Sequence, residues 1–402
     1  MNVLIVNAGS SSLKYQLFDT ESKSVLAKGG CERIGLTGGK IEHKVPSKEP
    51  YELSADMNTH EDAIRSVIAL LTDGKHGCIS SMAEIGAVGH RVVHGGPYFS
   101  GSVLADADVL EKVEKCKDLA PLHIGPSLVG IHACMDVMKD VPQVLVFDTA
   151  FHSTMPEEAY LYPIPYEYYE KYHIRRYGFH GSSHKYVSRE MIRLLGKPAA
   201  DTKIVTCHLG NGSSIAAVKG GKVIDTTMGF TPLDGLIMGT RSGSIDPAIV
   251  TFLMEKENLT PAEMNAILNK KSGLLGVSGN HSDFRDCRVA MENGDARAKA
   301  AIDVLAYQVK KYIGAYAAAM GGLDAIVFTA GIGENNNVIR AMPCHGLEYM
   351  GVDFDDAANN AIKRPASITC ISKPSSRVKV YLIPTNEELI IAEETEAIVL
   401  GK

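Results

Sequence analysis

The chain has 402 residues, enough for two domains at the usual size of about 100–200 residues each. Its 45% hydrophobic and 22% charged composition is that of an ordinary globular protein and excludes extended disorder. With 41 basic and 47 acidic residues the net charge is −6, so no basic excess points to nucleic acid or to an anionic membrane.

The start, Met1-Asn2-Val3-Leu4-Ile5-Val6-Asn7, has no basic region and reads as a strand, not a signal peptide. No apolar run approaches the ~20 residues needed to cross a bilayer. Eight cysteines, at positions 31, 78, 116, 134, 207, 287, 344 and 370, form no Cys-x-x-Cys pair. They read as reduced thiols, and a cytoplasmic location is the expectation.

Along the chain, strands are predicted at residues 3–6, 15–18, 85–93, 144–147, 204–207, 214–219, 222–225, 325–329 and 378–383. Helical patterns alternate with them, which argues for an α/β fold. Residues 108–119 form a predicted helix with Val109, Val113 and Cys116 inward. Another follows Asp246-Pro247, a capping residue with proline at the first helical position. The clearest helix is 296–320, where Ile302, Leu305, Val309 and Ile313 share a face. Asp295 can cap its start and Gly321-Gly322 can stop it.

Residues 3–14 and 204–215 share one pattern: a strand, a Gly/Ser-rich turn with a Ser-Ser pair, then a second strand. The repeat implies a duplicated core, two similar domains facing a cleft. Each turn has two readings, a tight hairpin or a cradle of inward N–H groups and hydroxyls for phosphate. Lys14 follows the first turn and can reach a phosphate. A third cluster, Ala330-Gly331-Ile332-Gly333-Glu334-Asn335, directly follows an apolar run but lacks the third glycine of a dinucleotide fingerprint. A Gly-x4-Gly-Lys-Ser/Thr loop is also missing, so a P-loop nucleotide site is excluded.

Arg91, before His94-Gly95-Gly96, and Arg241, within Gly239-Thr240-Arg241-Ser242-Gly243, are candidate forks for phosphate or carboxylate. Asp148 ends the run 144–147, at the sheet edge where ligands of α/β proteins bind, or caps the next helix. Glu387 is a candidate metal ligand or a first-turn helix acid. His180 and His184 stand four apart without the zinc-protease Glu, and structural zinc is not expected.

Taken together, residues 7–14, 91–96, 147–152, 175–181, 208–212, 227–243, 272–279, 329–335 and 383–389 resemble the acetate/propionate kinase family over essentially the whole chain. The longest such block is Met228-Gly229-Phe230-Thr231-Pro232-Leu233 with Gly239–Gly243. The resemblance implies two duplicated actin-like (ribonuclease H-like) domains with ATP in a cleft. It implies reversible, Mg²⁺- or Mn²⁺-dependent phosphoryl transfer from ATP to acetate, giving acetyl phosphate and ADP, by a homodimer. Residues 1–150 plus 386–402 would form the first domain, on the acyl side, and 151–385 the second, for the nucleotide and dimerisation.

Matched position by position, Asn7 and Glu387 resemble the metal site. Lys14, His208, Leu209, Gly210, Asn211, Gly212, Asp283, Phe284, Arg285, Gly331, Ile332, Gly333, Glu334 and Asn335 resemble the nucleotide contacts. Arg91 matches the residue for the substrate carboxylate, with Val93, Leu122, Phe179 and Pro232 around its methyl group. His180 and Arg241 match stabilisers of the transition state, and Asp148 the residue given acid/base work. A carboxylic acid is already ionised at pH 7, so Asp148 is expected instead to orient Mg²⁺ or hold an arginine. Ile124-Gly125-Pro126-Ser127, Ser244 and Asn280-His281 depart from the family's usual residues. The first lies beside the acyl pocket and bears on acetate against propionate. A phosphohydrolase on the same fold would need a positioned water where Arg91 awaits a carboxylate. A chaperone-like module would need a peptide-binding extension that this sequence does not show.

Overall fold

Among the residues that the computed structural model describes, 1–362 and 367–401, strands assemble into two sheets. One lies in a unit made of Met1–Phe151 and Asn386–Lys402, the other in a unit made of His152–Thr385. The first sheet comprises β1 (Asn2–Ala8), β2 (Ser12–Asp19), β3 (Ser24–Glu32), β4 (Lys40–Lys44), β5 (Tyr51–Ser54), β6 (Ile85–Val92), β7 (Val103–Leu104) and β8 (Gln143–Phe147). Their order is β5-β4-β3-β2-β1-β6-β8-β7. The second comprises β9 (Lys203–Leu209), β10 (Ser213–Lys219), β11 (Lys222–Thr226), β12 (Ala325–Thr329), β13 (Thr369–Cys370) and β14 (Lys379–Leu382), in the order β11-β10-β9-β12-β14-β13.

The two sheets have a common strand topology. β3-β2-β1-β6-β8 and β11-β10-β9-β12-β14 have the same order, antiparallel on one side of the first strand and parallel on the other. The central parallel strands are buried along their length, which is why β8 (Gln-Val-Leu-Val-Phe) and β12 (Ala-Ile-Val-Phe-Thr) read as continuous apolar runs. In β4, by contrast, only Ile41 and His43 are buried, and Lys40, Glu42 and Lys44 alternate with them. Such short, polar, antiparallel strands carry little hydrophobic signal, so β3, β4, β5, β7 and β13 do not stand out in the sequence.

The helix Ala296–Met320 packs against β9 and β10 and buries Ile302, Leu305, Val309 and Ile313. Asp295 caps it by accepting from the backbone N–H groups of Arg297 and Ala298, and Gly321 ends it at φ +71. The predicted helix 108–119 is instead Ala107–Lys115 followed by a 3₁₀ turn, Cys116–Asp118. Past Asp246, Pro247 is itself the cap of the helix Ala248–Lys256, and the Asp246 carboxylate accepts from Ala248 N–H. The unusual segment 124–127 lies inside the helix Pro121–Val137, with Pro126 in its body. All eight cysteines are free. No described helix is long and apolar enough to cross a membrane.

The helix Glu387–Val399 packs on β6, β1 and β8. It approaches β6 closely because Gly89 has no side chain: a Cβ there would lie 2.5 Å from Thr395 Oγ1 and 2.9 Å from Ile391 Cγ2. That contact sets the height of the helix, and so of Glu387 at its first turn. Gly89→Ala is expected to destabilise the protein by about 1–3 kcal/mol through overpacking. Thermal unfolding checks this; adding Thr395→Ala, which removes the nearer atom, should recover part of the loss. An unchanged midpoint in Gly89→Ala would contradict the close packing.

Candidate active site

In the first unit, the parallel register of β6 and β8 sets Arg91 opposite Val146 and Val92 opposite Phe147. Asp148 therefore emerges beside the end of β6, its N–H donating to Val92 O at 2.9 Å. Arg91 Nε donates to Asp148 Oδ1 at 3.0 Å and Nη2 to Oδ2 at 2.7 Å. The Asp148 side chain is 2% exposed and that of Arg91 26%. The buried carboxylate raises the guanidinium pKa. The fork occupies the Nε–Nη2 edge of Arg91, and Nη1 has no partner among the described residues. Asp148 thus holds an arginine.

Glu387 stands at the start of its helix. Burial pushes its carboxyl pKa up to about 7, against the pull of Arg91 and with Asp148 and Glu388 adding to the rise. Its carboxylate has no hydrogen-bond partner among the described residues. Asn7 ends β1 opposite Lys14 of β2. Both line a cavity of about 390 Å³ with Gln16, Lys28, Lys44 and Glu388. Amide and carboxylate oxygens are the donors that Mg²⁺ prefers beside water and phosphate. A half-buried, unpartnered carboxylate is also one that a cation would relieve. Asn7 and Glu387 therefore fit the ion. In the first Gly/Ser turn Gly9 N–H donates to Ser12 O at 2.8 Å, and His60 Nε2 lies 2.8 Å from Gly9 O. Val93 is half-buried just past β6. Leu122 belongs to the helix Pro121–Val137, and its side chain lies outside the described residues.

In the second unit, His180 caps the helix Gly181–Leu195 in the left-handed region, at φ 58. Such strain in a non-glycine residue concentrates at functional sites. Its ring stacks on His208 with centroids 4.1 Å apart, and its Nδ1 lies 2.8 Å from Ser214 Oγ. A Cβ on Gly212 would stand 3.5 Å from His180 Nε2 and 3.7 Å from Arg241 Nη1, so both groups face that glycine. Arg241 Nη1 donates to Pro232 O at 3.1 Å. Arg241 makes no ion pair with a carboxylate among the described residues, and burial lowers its pKa. Phe179 is 2% exposed, and its carbonyl lies 2.8 Å from His152 Nε2.

A separate cavity of about 530 Å³ is lined by Gly210, Asn211, Asp283, Phe284, Arg285, Gly331, Ile332, Asn335 and Asn336. That volume suits a small-molecule ligand. Asp283 caps the helix Phe284–Glu292 and takes Arg285 in a two-point fork at 3.1 and 2.9 Å. The glycine cluster after β12 is a short helix, Ala330–Asn335, whose first residue has φ 65.

A profile of the acetokinase family matches residues 2–393. The chain belongs to the acetokinase family. It is 58% identical to an acetate kinase of Caldanaerobacter subterraneus subsp. tengcongensis over 402 residues, all of both chains. The crystal structure of Porphyromonas gingivalis acetate kinase superposes with a TM-score of 0.95 at 48% identity, covering 99% of each chain. A Francisella tularensis propionate kinase superposes at 0.90 with 42% identity, again over 99% of each. The duplicated α/β fold is therefore that of the family's kinases.

Of the residues matched to nucleotide contacts, eight line the larger cavity, from Gly210 through Asn335. His208 and Gly212 group instead with His180 and Arg241. The Leu209 side chain belongs to the hydrophobic core. Glu334 turns inward to accept from Ala330 N–H at 2.9 Å and Thr385 N–H at 3.0 Å. Lys14 belongs to the first unit. Sequence reasoning missed Asn336, which caps the next helix, and Arg340. The buried Arg340 guanidinium donates to the carbonyls of Gly333 and Glu334 at 2.8 and 2.7 Å and to Asn359 Oδ1 at 2.7 Å. With no carboxylate partner its pKa is pushed down to about 10 by burial. It braces the glycine-rich helix from below.

These burials set a pH profile. Burial holds His90 and His152 down to about 4 and His184 well below its usual range. The unfolded values are near 6.5, so the unfolded state takes up protons first, and stability is lost as pH falls from about 6.5 toward 4. Glu387 has the opposite sign. Its folded pKa is raised, so its share is present below about 4.5 and lost as pH rises through 7. Three histidines outweigh one glutamate, and the thermal midpoint without divalent metal should fall between about pH 6.5 and 4.5. Glu387→Gln should make that fall steeper; a flat wild-type profile or an unaltered slope in the variant would refute the assignment.

Proposed function

We propose that this chain is a cytoplasmic, homodimeric, Mg²⁺-dependent enzyme that transfers the γ-phosphoryl group of ATP reversibly to acetate. The first unit carries the acyl side and the second the nucleotide and the dimer face. The observation that carries the reading is Arg241, a half-buried guanidinium beside His180 with no carboxylate to neutralise it among the described residues. A partly desolvated cation left without a counter-anion is a receiver for an anionic group, here the transferring phosphoryl. Eight free cysteines suit a reducing compartment. The dimer reading draws support from the helix Ala248–Lys256, which buries none of its residues although Ile249 and Phe252 are 43% and 56% exposed.

The chemistry asks chiefly for position and neutralised charge. Acetate is ionised at neutral pH, so one carboxylate oxygen attacks phosphorus with no proton to remove, and the bond to the ADP oxygen breaks in line. Arg91 takes the acceptor carboxylate on its Nη1 edge. Asp148 holds the opposite edge and is a positioning residue, not a base. Arg241 and His180 donate to phosphoryl oxygens as charge shifts onto them. The cavity between Gly210 and Asn336 takes the nucleoside. Magnesium held by Asn7 and Glu387 would supply further neutralisation of phosphate charge.

Hydroxylamine trapping tests the reading. Hydroxamate should form only with ATP, Mg²⁺ and acetate together; phosphate released without acetate would mean a phosphohydrolase. Arg241→Ala should lower kcat by about 10²-fold or more, the usual cost of one preorganised donor. Near-native turnover in a folded Arg241→Ala protein would remove that residue from the mechanism.

Acyl size follows from Val93. Its β-branched side chain narrows a methyl pocket, and one methylene alters discrimination by only about 1–3 kcal/mol. Propionate should be used less well than acetate, and butyrate poorly. Val93→Ala should raise kcat/KM for propionate relative to acetate. A wild-type preference for propionate, or no gain in the variant, would overturn the pocket assignment.

A further inference from the structure

Behind His180 runs a chain of buried hydroxyls and imidazole that the reaction itself does not touch. His180 Nδ1 lies 2.8 Å from Ser214 Oγ, and the same oxygen lies 2.7 Å from His184 Nε2. His184 Nδ1 lies 2.7 Å from Thr206 Oγ1. His184, Ser214 and Thr206 are all fully buried. Each link is short, and the chain contains one neutral imidazole, because burial strongly disfavours a charge on His184.

Donor counting orients the chain. Thr206 has one hydroxyl proton and two acceptors within reach, His184 Nδ1 at 2.7 Å and the Ala216 carbonyl at 3.5 Å. The longer contact is beyond the range of a good O–H···O bond, so the proton goes to His184. A neutral imidazole that accepts at Nδ1 carries its proton on Nε2 and donates it to Ser214. Ser214 then has its own proton left for His180 Nδ1. We propose that Thr206, His184 and Ser214 form a one-way hydrogen-bond relay that keeps the His180 proton on Nε2, the nitrogen that faces Gly212 beside Arg241.

A second chain has the same polarity. Thr385 Oγ1 donates to Ser183 Oγ at 2.8 Å, and Ser183 Oγ lies 2.7 Å from His208 Nδ1. Having accepted from Thr385, the Ser183 hydroxyl donates to His208, whose proton is therefore also on Nε2. The two stacked rings are thus held from behind in one tautomer, each with its proton on Nε2. For a phosphoryl group this matters, because an unprotonated Nε2 would present a lone pair to an anion. A neutral donor in a fixed tautomer needs no protonation step before transfer. Ser214 and His184 are positioning residues, since they act only through His180. The proposal rests on the reading that His180 meets the phosphoryl group.

The test uses substrate-free enzyme labelled with ¹⁵N-histidine, in which long-range proton–nitrogen correlations report the tautomer of His180, assigned with His180→Gln. Wild type should show the proton on Nε2. Thr206→Val and Ser214→Ala should both shift population toward Nδ1–H. Turnover in both should fall about tenfold while KM for ATP and acetate stays within about twofold, the split expected when a transition-state donor is misoriented. Thr206→Ser should restore both tautomer and kcat. A wild-type His180 protonated on Nδ1 would overturn the relay. So would a Thr206→Val protein with native tautomer and turnover, or a loss of activity that follows the thermal midpoint and is not rescued by Thr206→Ser. If wild type forms no acyl phosphate, the kinase reading fails instead, while the tautomer measurement still decides the relay.

Discussion

The register between two parallel strands fixes the chemistry of the first unit. Because β6 and β8 run parallel and in step, their ends bring Arg91 and Asp148 into a two-point fork. The aspartate is nearly buried and cannot lose its partner without leaving a bare charge, a loss of about 3–5 kcal/mol in comparable buried pairs. The arginine is thereby denied rotation, and its remaining edge points one way. Glu387 feels the same pair, and it reaches them because Gly89 lets its helix lie directly on β6. One glycine and one strand register thus determine where three charged groups meet.

The second unit solves a different problem. In the proposed reaction it must hold positive charge without neutralising it in advance. Among the described residues Arg241 has no acid partner, and its Nη1 is steadied by the Pro232 carbonyl. Arg340 is likewise satisfied by carbonyls and an amide oxygen. Neutral acceptors orient a guanidinium and leave its charge for a ligand, whereas a carboxylate would consume it. The contrast with Arg91 follows from the partners. In the proposed reaction the acceptor carboxylate needs a rigid fork, and the transferring phosphoryl group needs uncancelled charge.

The central fold is legible because its strands are buried on both faces. Residues 3–6, 144–147 and 325–329 are apolar runs that no helix of their length explains, and the repeated Gly/Ser turns mark the same strand-turn-strand unit twice. The long helix 296–320 is legible from spacing, Asp295 and Gly321. The outer antiparallel strands β3–β5 are not, because few of their residues are buried and Lys or Glu recurs among the exposed ones. In the site, the arginines and glycines announce themselves by type. Their supports do not. Thr206, Ser214 and His184 come from two strands and a helix. No spacing in the sequence marks hydroxyls that meet only after the chain has folded. Arg340 looks like any helical arginine until its burial is known.

Strain follows the same division. His180 and Ala330 are non-glycine residues in the left-handed region, at φ 58 and φ 65. Each stands at the N-terminal end of a helix, next to a group that meets ligand in the proposed reaction. Such a conformation costs of order 1–3 kcal/mol and persists only where the surroundings over-determine it. At His180 the surroundings are the Ser214 bond and the stack on His208. At Ala330 they are Glu334, which accepts the Ala330 N–H, and Arg340, which binds the carbonyls at the far end of the same short helix. Glycine would adopt either angle at less strain, but at position 180 it would remove the imidazole itself. A residue that must both sit in a disfavoured backbone region and offer a ring nitrogen in one direction therefore requires a buried polar scaffold behind it. That scaffold is what Thr206, His184 and Ser214 supply.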